Sequence, residues 1–209
     1  MSAALLAARG FTSLDPPALP TGDHWRVQEC YVKPHPSCRW GHAAIAGALE
    51  LRRRADFSSA RVARVTVLCF RAALGLGRAL PETTEDAQYS LVWPTAVALV
   101  RGRSGVADVL GDFEDAEARR LACNMVLELD EAYEAAFPER RFSEIVVELR
   151  DGQELRSGPR EARGEPDDPE WEAIILDKAA RLIPPPEELP SRVALLLQGL
   201  VELPEGARA

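Results

Sequence analysis

Several chemically reactive side chains lie close together near the start of the chain. In and just before YVKPHPSCRWGH (31–42) these are Cys30, Lys33, His35, Cys38 and His42. The concentration is unusual because the whole chain has only two lysines, three histidines and four cysteines. Such residues bind metals, attack as nucleophiles or hold anions, so this stretch is the first candidate for a functional site.

Two of these chemistries depend on the cysteines. A zinc site would use Cys30, His35, Cys38 and His42, but their spacing matches no recognised zinc pattern, and the two prolines of the stretch restrict how the chain folds back. A nucleophilic role would use Cys38, because a helix beginning nearby lowers a thiol pKa. The structural alternative is that Cys38 is a small buried residue in the first turn.

An anion site uses more of these residues. Lys33 ends a predicted strand, the Pro-His-Pro corner follows, and a helix capped by Ser37 offers its free N–H groups. Arg39 adds a fork that fits a carboxylate, and Lys33 adds a point charge or a proton. The alternative is that Lys33 and Arg39 are solvated and that His42 lines an apolar helix face. Spacing alone leaves both interpretations open.

Tyrosine 89 and the second lysine are the other candidates. Tyr89 lies one turn into a predicted helix with a capped acidic start, so its hydroxyl could donate a proton or a hydrogen bond in a cleft. The alternative is a packed aromatic ring with a wet tip. Lys178, beside Asp177 and Arg181, is predicted to be a surface residue.

Composition limits the class of protein. The 209 residues are 46% hydrophobic, which predicts a single globular core with short appendages. The net charge of −8 gives a nucleic-acid backbone no general attraction, so no nucleic-acid partner is expected. No apolar run is long enough to cross a membrane, and the start lacks the basic region of a secretory leader. Four cysteines without a small loop-rich framework indicate reduced thiols in a cytoplasm.

Hydrophobic periodicity predicts the elements that must position these residues. The predicted strands are 25–33, 60–70 and a hairpin over 141–157 that turns at Asp151-Gly152. The predicted helices are 2–9, one from Ser37 to Arg54, 83–102 with a kink or break at Pro94, a broken helix over 112–137, 170–183 and 189–203. The order predicts a two-layer α+β domain over 23–209 with a mixed or antiparallel sheet, after a helix and a Pro-rich linker in 1–22.

Four stretches in one order resemble a known family. VKPHPSCRWGHAAIAGALELR is similar to the lid-domain signature of the MmgE/PrpD family, in which Lys-Pro-Tyr-Pro-x-Cys-Arg precedes a helix containing histidine. The other three stretches are PETTEDAQYSLVWPTAVALVRG, FPERRFSEIVVELRDGQEL and RGEPDDPEWEAIILDKAARL. The resemblance spans about residues 25–200, and AALLAARGFT resembles the end of the family's preceding helical domain.

The resemblance implies an activity and a set of site residues. Members include 2-methylcitrate dehydratase, cis-aconitate decarboxylase and iminodisuccinate epimerase, which act on small polycarboxylates without a metal or an organic cofactor. By resemblance Lys33 and Tyr89 are catalytic. By resemblance Arg39 and His42 are implied to bind substrate or shape the site. The predicted substrate-binding set also includes His35, Ser37 and Cys38, which lie in the same stretch. His35 is a departure, because the family usually has an aromatic residue there.

The resemblance also implies a partner. In the family the active site lies between the lid and a helical domain that supplies most of the acid–base histidine and aspartate residues. We therefore expect either a half-enzyme completed by a separate helical-domain polypeptide or a non-catalytic relative that binds carboxylates or docks a partner. A third alternative is a lid with its own activity based on Lys33, His35 and His42. Apolar surface left uncovered on the lid predicts a complex or a homo-oligomer.

Overall fold

A mixed sheet of five strands organises the part of the chain that the structure describes. The structure is a computed structural model, and it describes residues 29–111 and 113–182. The strands are β1 (Val62–Cys69), β2 (Met125–Leu129), β3 (Phe142–Leu149), β4 (Glu154–Arg156) and β5 (Arg160–Glu161). Their order is β2-β1-β3-β4, and β5 also pairs with β3. Strand β1 runs parallel to β2 and antiparallel to β3, which confirms the predicted α+β class with a mixed sheet.

Seven helices accompany the sheet in the described residues. They are α1 (His42–Arg52), α2 (Arg71–Leu74), α3 (Thr84–Gln88), α4 (Val92–Arg101), α5 (Ala116–Cys123), α6 (Glu131–Ala136) and α7 (Trp171–Leu182). Helix α1 packs on β3 and on α4, and α4 packs in turn on α5. The close approach of α1 to the sheet requires Gly47, because an added Cβ would lie 2.9 Å from both Ile145 and Ser157.

The strands predicted at 60–70 and 141–157 are confirmed. Buried Val65, Val67 and Cys69 alternate with more exposed residues along β1, as expected of a sheet packed on one face. The β3–β4 hairpin turns at Asp151-Gly152, where Gly152 has a φ of 85°, a conformation that glycine adopts without steric cost. The helix predicted over 170–183 is confirmed as α7.

The segment 112–137 contains a strand between two helices. Asp115 and Asp130 each accept hydrogen bonds from the first backbone N–H groups of the helix that follows, so α5 and α6 begin separately. The residues between them pair in parallel with β1, from Met125 opposite Val65 to Leu129 opposite Cys69. The predicted interruption of the helix is therefore confirmed. The interrupting residues form a strand of the sheet, because their β-branched and leucine side chains fit beside β1.

The helix predicted over 83–102 is broken earlier than expected. The Thr83–Asp86 capping box is confirmed, and α3 ends at Gln88. The chain then passes through Tyr89 and Ser90, where the Gly77–Ser90 bridge fixes it, before α4 begins. Pro94 lies in the first turn of α4, where a missing N–H costs nothing, so the prediction of a kink at Pro94 was wrong.

The strand predicted over 25–33 was wrong for the residues that the structure describes. Residues 30–33 adopt neither helix nor strand, because the Val32 N–H donates to the Gly164 carbonyl rather than to a sheet. The predicted cap was also wrong: Cys38 takes the N-cap position of a 3₁₀ turn (Arg39–Gly41), and α1 follows at His42. The helix predicted at 2–9, the linker in 1–22 and the helix predicted at 189–203 lie outside the described residues.

Candidate functional site

Lys33 lies in a loop that is fixed at both ends. On one side the Val32 N–H donates to the Gly164 carbonyl over 2.8 Å. On the other side the Cys38 N–H donates to the Gln88 carbonyl, at the end of α3, over 2.7 Å. The Pro-His-Pro corner between these anchors restricts the backbone further. The backbone at Lys33 is therefore fixed without a helix or strand, and the Lys33 side chain is exposed.

The Lys33 loop forms one wall of a cavity of about 670 Å³, a volume within the usual range of small-molecule sites. Two other segments complete the cavity: the loop 103–108 after α4, and the end of α7. The cationic side chains that line it are Lys33, Arg103, Lys178 and Arg181. His35 lines it as well, and Asp108 is the carboxylate in its wall. The Lys33 cavity is thus a concave site that contains two of the candidate residues, Lys33 and His35.

His35 contributes a neutral imidazole to the wall of the cavity. Its Nδ1 lies 3.2 Å from the Ser104 carbonyl, which can only accept, so Nδ1 carries the proton and Nε2 has the lone pair. Burial lowers the pKa of His35 to about 4, since a charged ring would lose its hydration. At neutral pH the ring is therefore uncharged, with a nitrogen able to accept a proton.

His42 lies behind His35 in the protein interior. It is only 2% exposed, and its ring stands edge-on to His35 with the centroids 5.2 Å apart. Its Nε2 donates to the Ser37 carbonyl over 3.2 Å, and its buried Nδ1 has no partner among the described residues. Burial lowers its pKa to about 3. His42 therefore supports His35 and the 37–42 turn from within.

Arg39 is occupied by structural contacts. Its guanidinium is 4% exposed and donates to the carbonyls of Arg163 and Ala162 and to the Glu165 carboxylate, over 2.7, 3.2 and 2.7 Å. The Cζ atom of the guanidinium lies 4.2 Å from the centre of the Tyr31 ring. These contacts join the Lys33 loop to the loop 162–165. The geometry therefore favours site shaping over direct binding of a carboxylate by Arg39.

Ser37 and Cys38 lie beside the cavity rather than in its wall. Ser37 is buried, and its hydroxyl has no partner among the described residues. Cys38 is partly buried and packs against the hydrophobic core, which fits the structural alternative for this residue. All four cysteines are among the described residues, and none forms a disulfide. Within the described ranges, no group of three or more His, Cys, Asp or Glu side chains is placed to hold a metal ion.

Tyr89 does not line the cavity that contains Lys33. Its side chain is 62% exposed and lines a separate groove with Leu80 and Glu85. Its backbone carbonyl accepts a hydrogen bond from Gly77 over 2.9 Å, so the residue is well fixed. The Cys38–Gln88 hydrogen bond joins this turn to the Lys33 loop. The structure thus connects the two predicted catalytic residues through the backbone but does not bring their side chains into one cavity.

Sequence reasoning missed Lys178 and Arg103. The prediction of a surface role for Lys178 was incomplete, because Lys178 lines the same cavity as Lys33. The rarity of lysine in this chain was the available signal, since both lysines meet at one place. Arg103 carried no such signal, as it is one of many arginines.

The lowered pKa values of His35 and His42 predict a loss of stability in acid. Both folded-state pKa values, about 4 and about 3, lie below the ordinary 6.5, so the unfolded chain takes up protons first as the pH falls. We expect full stability above pH 6.5 and a loss of about 2 kcal/mol at pH 5 from His42 alone. Urea unfolding between pH 8 and pH 5 measures this. An equally steep pH dependence in His42→Gln would contradict it.

Gly164 predicts a sharp steric effect on the Lys33 loop. Its φ is 95°, and an added Cβ would collide with the Val32 carbonyl oxygen. An alanine at this φ has a steric cost of its own, and the collision adds to it. We expect this added cost to lower the free energy of unfolding of Gly164→Ala by a further amount of about 1–3 kcal/mol, the scale of a strained position. Gly158→Ala is the matched control, because Gly158 has a φ of 67° and no atom within 4 Å of the added Cβ. If urea unfolding gave equal losses of unfolding free energy for the two variants, the contact between Val32 and Gly164 would not be rigid.

Comparison with known proteins agrees with this α+β fold. The sequence profile of the MmgE/PrpD C-terminal domain matches residues 35–189, and the chain belongs to this family. The match begins at residue 35 and does not include Lys33 or Pro34, so the catalytic role of Lys33 stays a prediction from the sequence resemblance. No curated protein matches the chain. Within the described residues, no helix combines the length and the apolar character needed to cross a membrane.

Proposed function

We propose that the chain is the lid part of a cofactor-independent lyase or isomerase that moves a proton next to a carboxylate of a small polycarboxylate. One observation carries the proposal: in an MmgE/PrpD C-terminal domain, Lys33 lines a cation-rich cavity beside the neutral ring of His35. Among the described residues, no carboxylate pairs with the Lys33 ammonium. No described carboxylate therefore competes with a substrate for this ammonium.

The chemistry requires stabilisation of negative charge. When a C–H bond next to a carboxylate breaks, its proton goes to a base and its electron pair moves towards the carboxylate, which gains a second negative charge. An ammonium within reach stabilises this charge, and such fixed electrostatic stabilisation is usually a large part of catalysis. The same ammonium can return a proton to carbon or to a leaving hydroxyl. Lys33 is the proposed electrostatic and acid group.

The other predicted residues take supporting roles. The His35 Nε2 is a proton acceptor in the cavity wall, and a bound anion would strengthen it as a base by stabilising its charged form. His42, Ser37, Cys38 and Arg39 hold the loop in place. Tyr89 acts from the neighbouring groove, at a surface that a second domain would cover.

The proposal includes a partner. We propose that a helical-domain protein covers the Lys33 cavity, excludes water and supplies the remaining acid–base groups. Large apolar side chains that are exposed in the described part support a covered surface: Tyr31, Trp40, Tyr89, Val106, Leu110, Val126, Leu176 and Leu182. A homo-oligomer is the other way to cover such side chains.

A second candidate is a non-catalytic carboxylate-binding relative. It is favoured by the cavity itself, whose cationic lining is complete without another domain. Binding without turnover in any mixture distinguishes it from the enzyme.

The test uses the native complex purified gently from its source. Native mass determination shows which chains accompany this one, and NMR follows deuterium uptake at the C–H positions of citrate and tricarballylate in D₂O. We expect a helical chain in fixed ratio and exchange that depends on both chains. No helical partner together with no exchange would contradict the proposed activity.

A further inference from the structure

The second lysine of the chain lies in the same cavity as the first. Lys33 comes from the loop before α1 and Lys178 from α7, close to the other end of the described residues, yet both line the Lys33 cavity. Lys178 is partly buried there. Arg103 approaches from the loop after α4. Three distant segments thus place their cations around one space.

The charge of this cavity is opposite to that of the chain. Among the described residues, its wall carries four cationic side chains and one carboxylate, that of Asp108, although the chain as a whole has a net charge of −8. A concave surface of one sign concentrates ions of the other sign. The cavity therefore favours a ligand with several negative charges.

Asp108 does not neutralise the lysines. Its carboxylate accepts from Arg101 over 2.7 Å and from the Gly105 N–H over 2.8 Å, and it lies 3.6 Å from Arg103. Asp108 is also 4% exposed, so these contacts fix it. Its negative charge is thus shared by two arginines and a backbone N–H.

The two lysines, in contrast, have no carboxylate partner among the described residues. Arg181 differs from them, since it pairs with Asp177 at 2.7 Å and donates to the Pro34 carbonyl over 3.3 Å. Arg181 therefore ties α7 to the Lys33 loop. In the part of the chain that the structure describes, Lys33 and Lys178 are the two ammonium groups of the cavity wall that have no carboxylate partner.

We propose that Lys178, with Arg103, forms a second carboxylate subsite opposite Lys33 and selects substrates that carry two or more carboxylates. The inference rests on the proposed function and adds the residues that determine its specificity. One carboxylate of the ligand pairs with Lys33, next to the carbon that loses its proton. Another pairs with Lys178 and Arg103 and fixes the orientation. A monocarboxylate fills only the first position.

Calorimetric titration of the full chain tests this inference with tricarballylate, succinate, butyrate and inorganic phosphate as probes. We expect tricarballylate to bind most tightly and Lys178→Met to weaken it about tenfold, because one charge-assisted contact is lost. Butyrate binding should stay within about twofold in the same variant, since a monocarboxylate does not need the second subsite. Arg103→Met should resemble Lys178→Met.

Arg71→Met is the matched control, because it removes one positive charge from an exposed side chain outside the cavity. Thermal unfolding checks that each variant is folded. The inference is overturned if Lys178→Met weakens tricarballylate no more than Arg71→Met does, or weakens butyrate equally. It is also overturned if phosphate binds as tightly as tricarballylate, or if the wild-type chain binds no tricarballylate. The deuterium exchange of the native complex decides the proposed function separately.

Discussion

Replacing Lys33 by alanine is expected to lower deuterium exchange in the native complex by about 100-fold or more, the usual scale of one acid–base group. The reason is that Lys33 lies in a loop whose backbone is anchored at both ends, lines the cavity, and has no carboxylate partner among the described residues. NMR of citrate and tricarballylate in D₂O measures the effect. Binding should weaken by much less, because Lys178 and the arginines still line the cavity.

Two variants separate the roles of this side chain. Lys33→Arg keeps the charge but cannot readily give up a proton, so partial activity would indicate electrostatic stabilisation. Arg71→Ala removes an exposed charge that does not line the cavity and should leave exchange unchanged. Wild-type exchange in Lys33→Ala would remove Lys33 from the mechanism.

Replacing Arg39 by alanine is expected to lower the free energy of unfolding by about 2–4 kcal/mol. The substitution removes a nearly buried guanidinium, leaves the Ala162 and Arg163 carbonyls without this donor, and leaves the Glu165 carboxylate with Arg141 alone. Guanidinium chloride unfolding of the full chain measures the loss. Arg39→Lys should recover less than half of it, since an ammonium cannot reproduce the planar fork.

Arg140→Ala is the control for this variant. Like Arg39, Arg140 pairs with a carboxylate. It donates two hydrogen bonds to Glu161, but its side chain is exposed. Exposed pairs contribute about 0–1 kcal/mol, so its loss should be small. If Arg39→Ala and Arg140→Ala had equal effects, the burial of Arg39 would not matter and its contacts would not hold the loop.

Local sequence signals predicted the elements that have local causes. The β-branched residues of β1, the Asp151-Gly152 turn and the Thr83–Asp86 capping box each specify their structure within a few residues, and each is confirmed. The prediction of a strand over 25–33 failed because the alternation of apolar and polar side chains does not show which backbone groups the segment will pair with. In the structure the Gly164 carbonyl is one of these groups.

The candidate site was predictable in part. The Lys33 corner and its family resemblance could be identified because these residues are neighbours in sequence. Lys178 and Arg103 could not be placed there, since only the packing of α7 and of the loop after α4 brings them to Lys33. For the same reason, spacing could not show that the Arg39 guanidinium points to loop 162–165 or that Tyr89 lines another groove.

The composition of the chain permits a direct measurement at the site. Because the chain has only two lysines, protein labelled with ¹³C at lysine Cε gives two signals, which Lys33→Arg and Lys178→Arg assign. If the Lys33 cavity is the carboxylate site, titration with tricarballylate shifts the Lys33 signal until it saturates. A Lys33 signal that stays unmoved while calorimetry shows tricarballylate bound elsewhere on the chain would contradict the account.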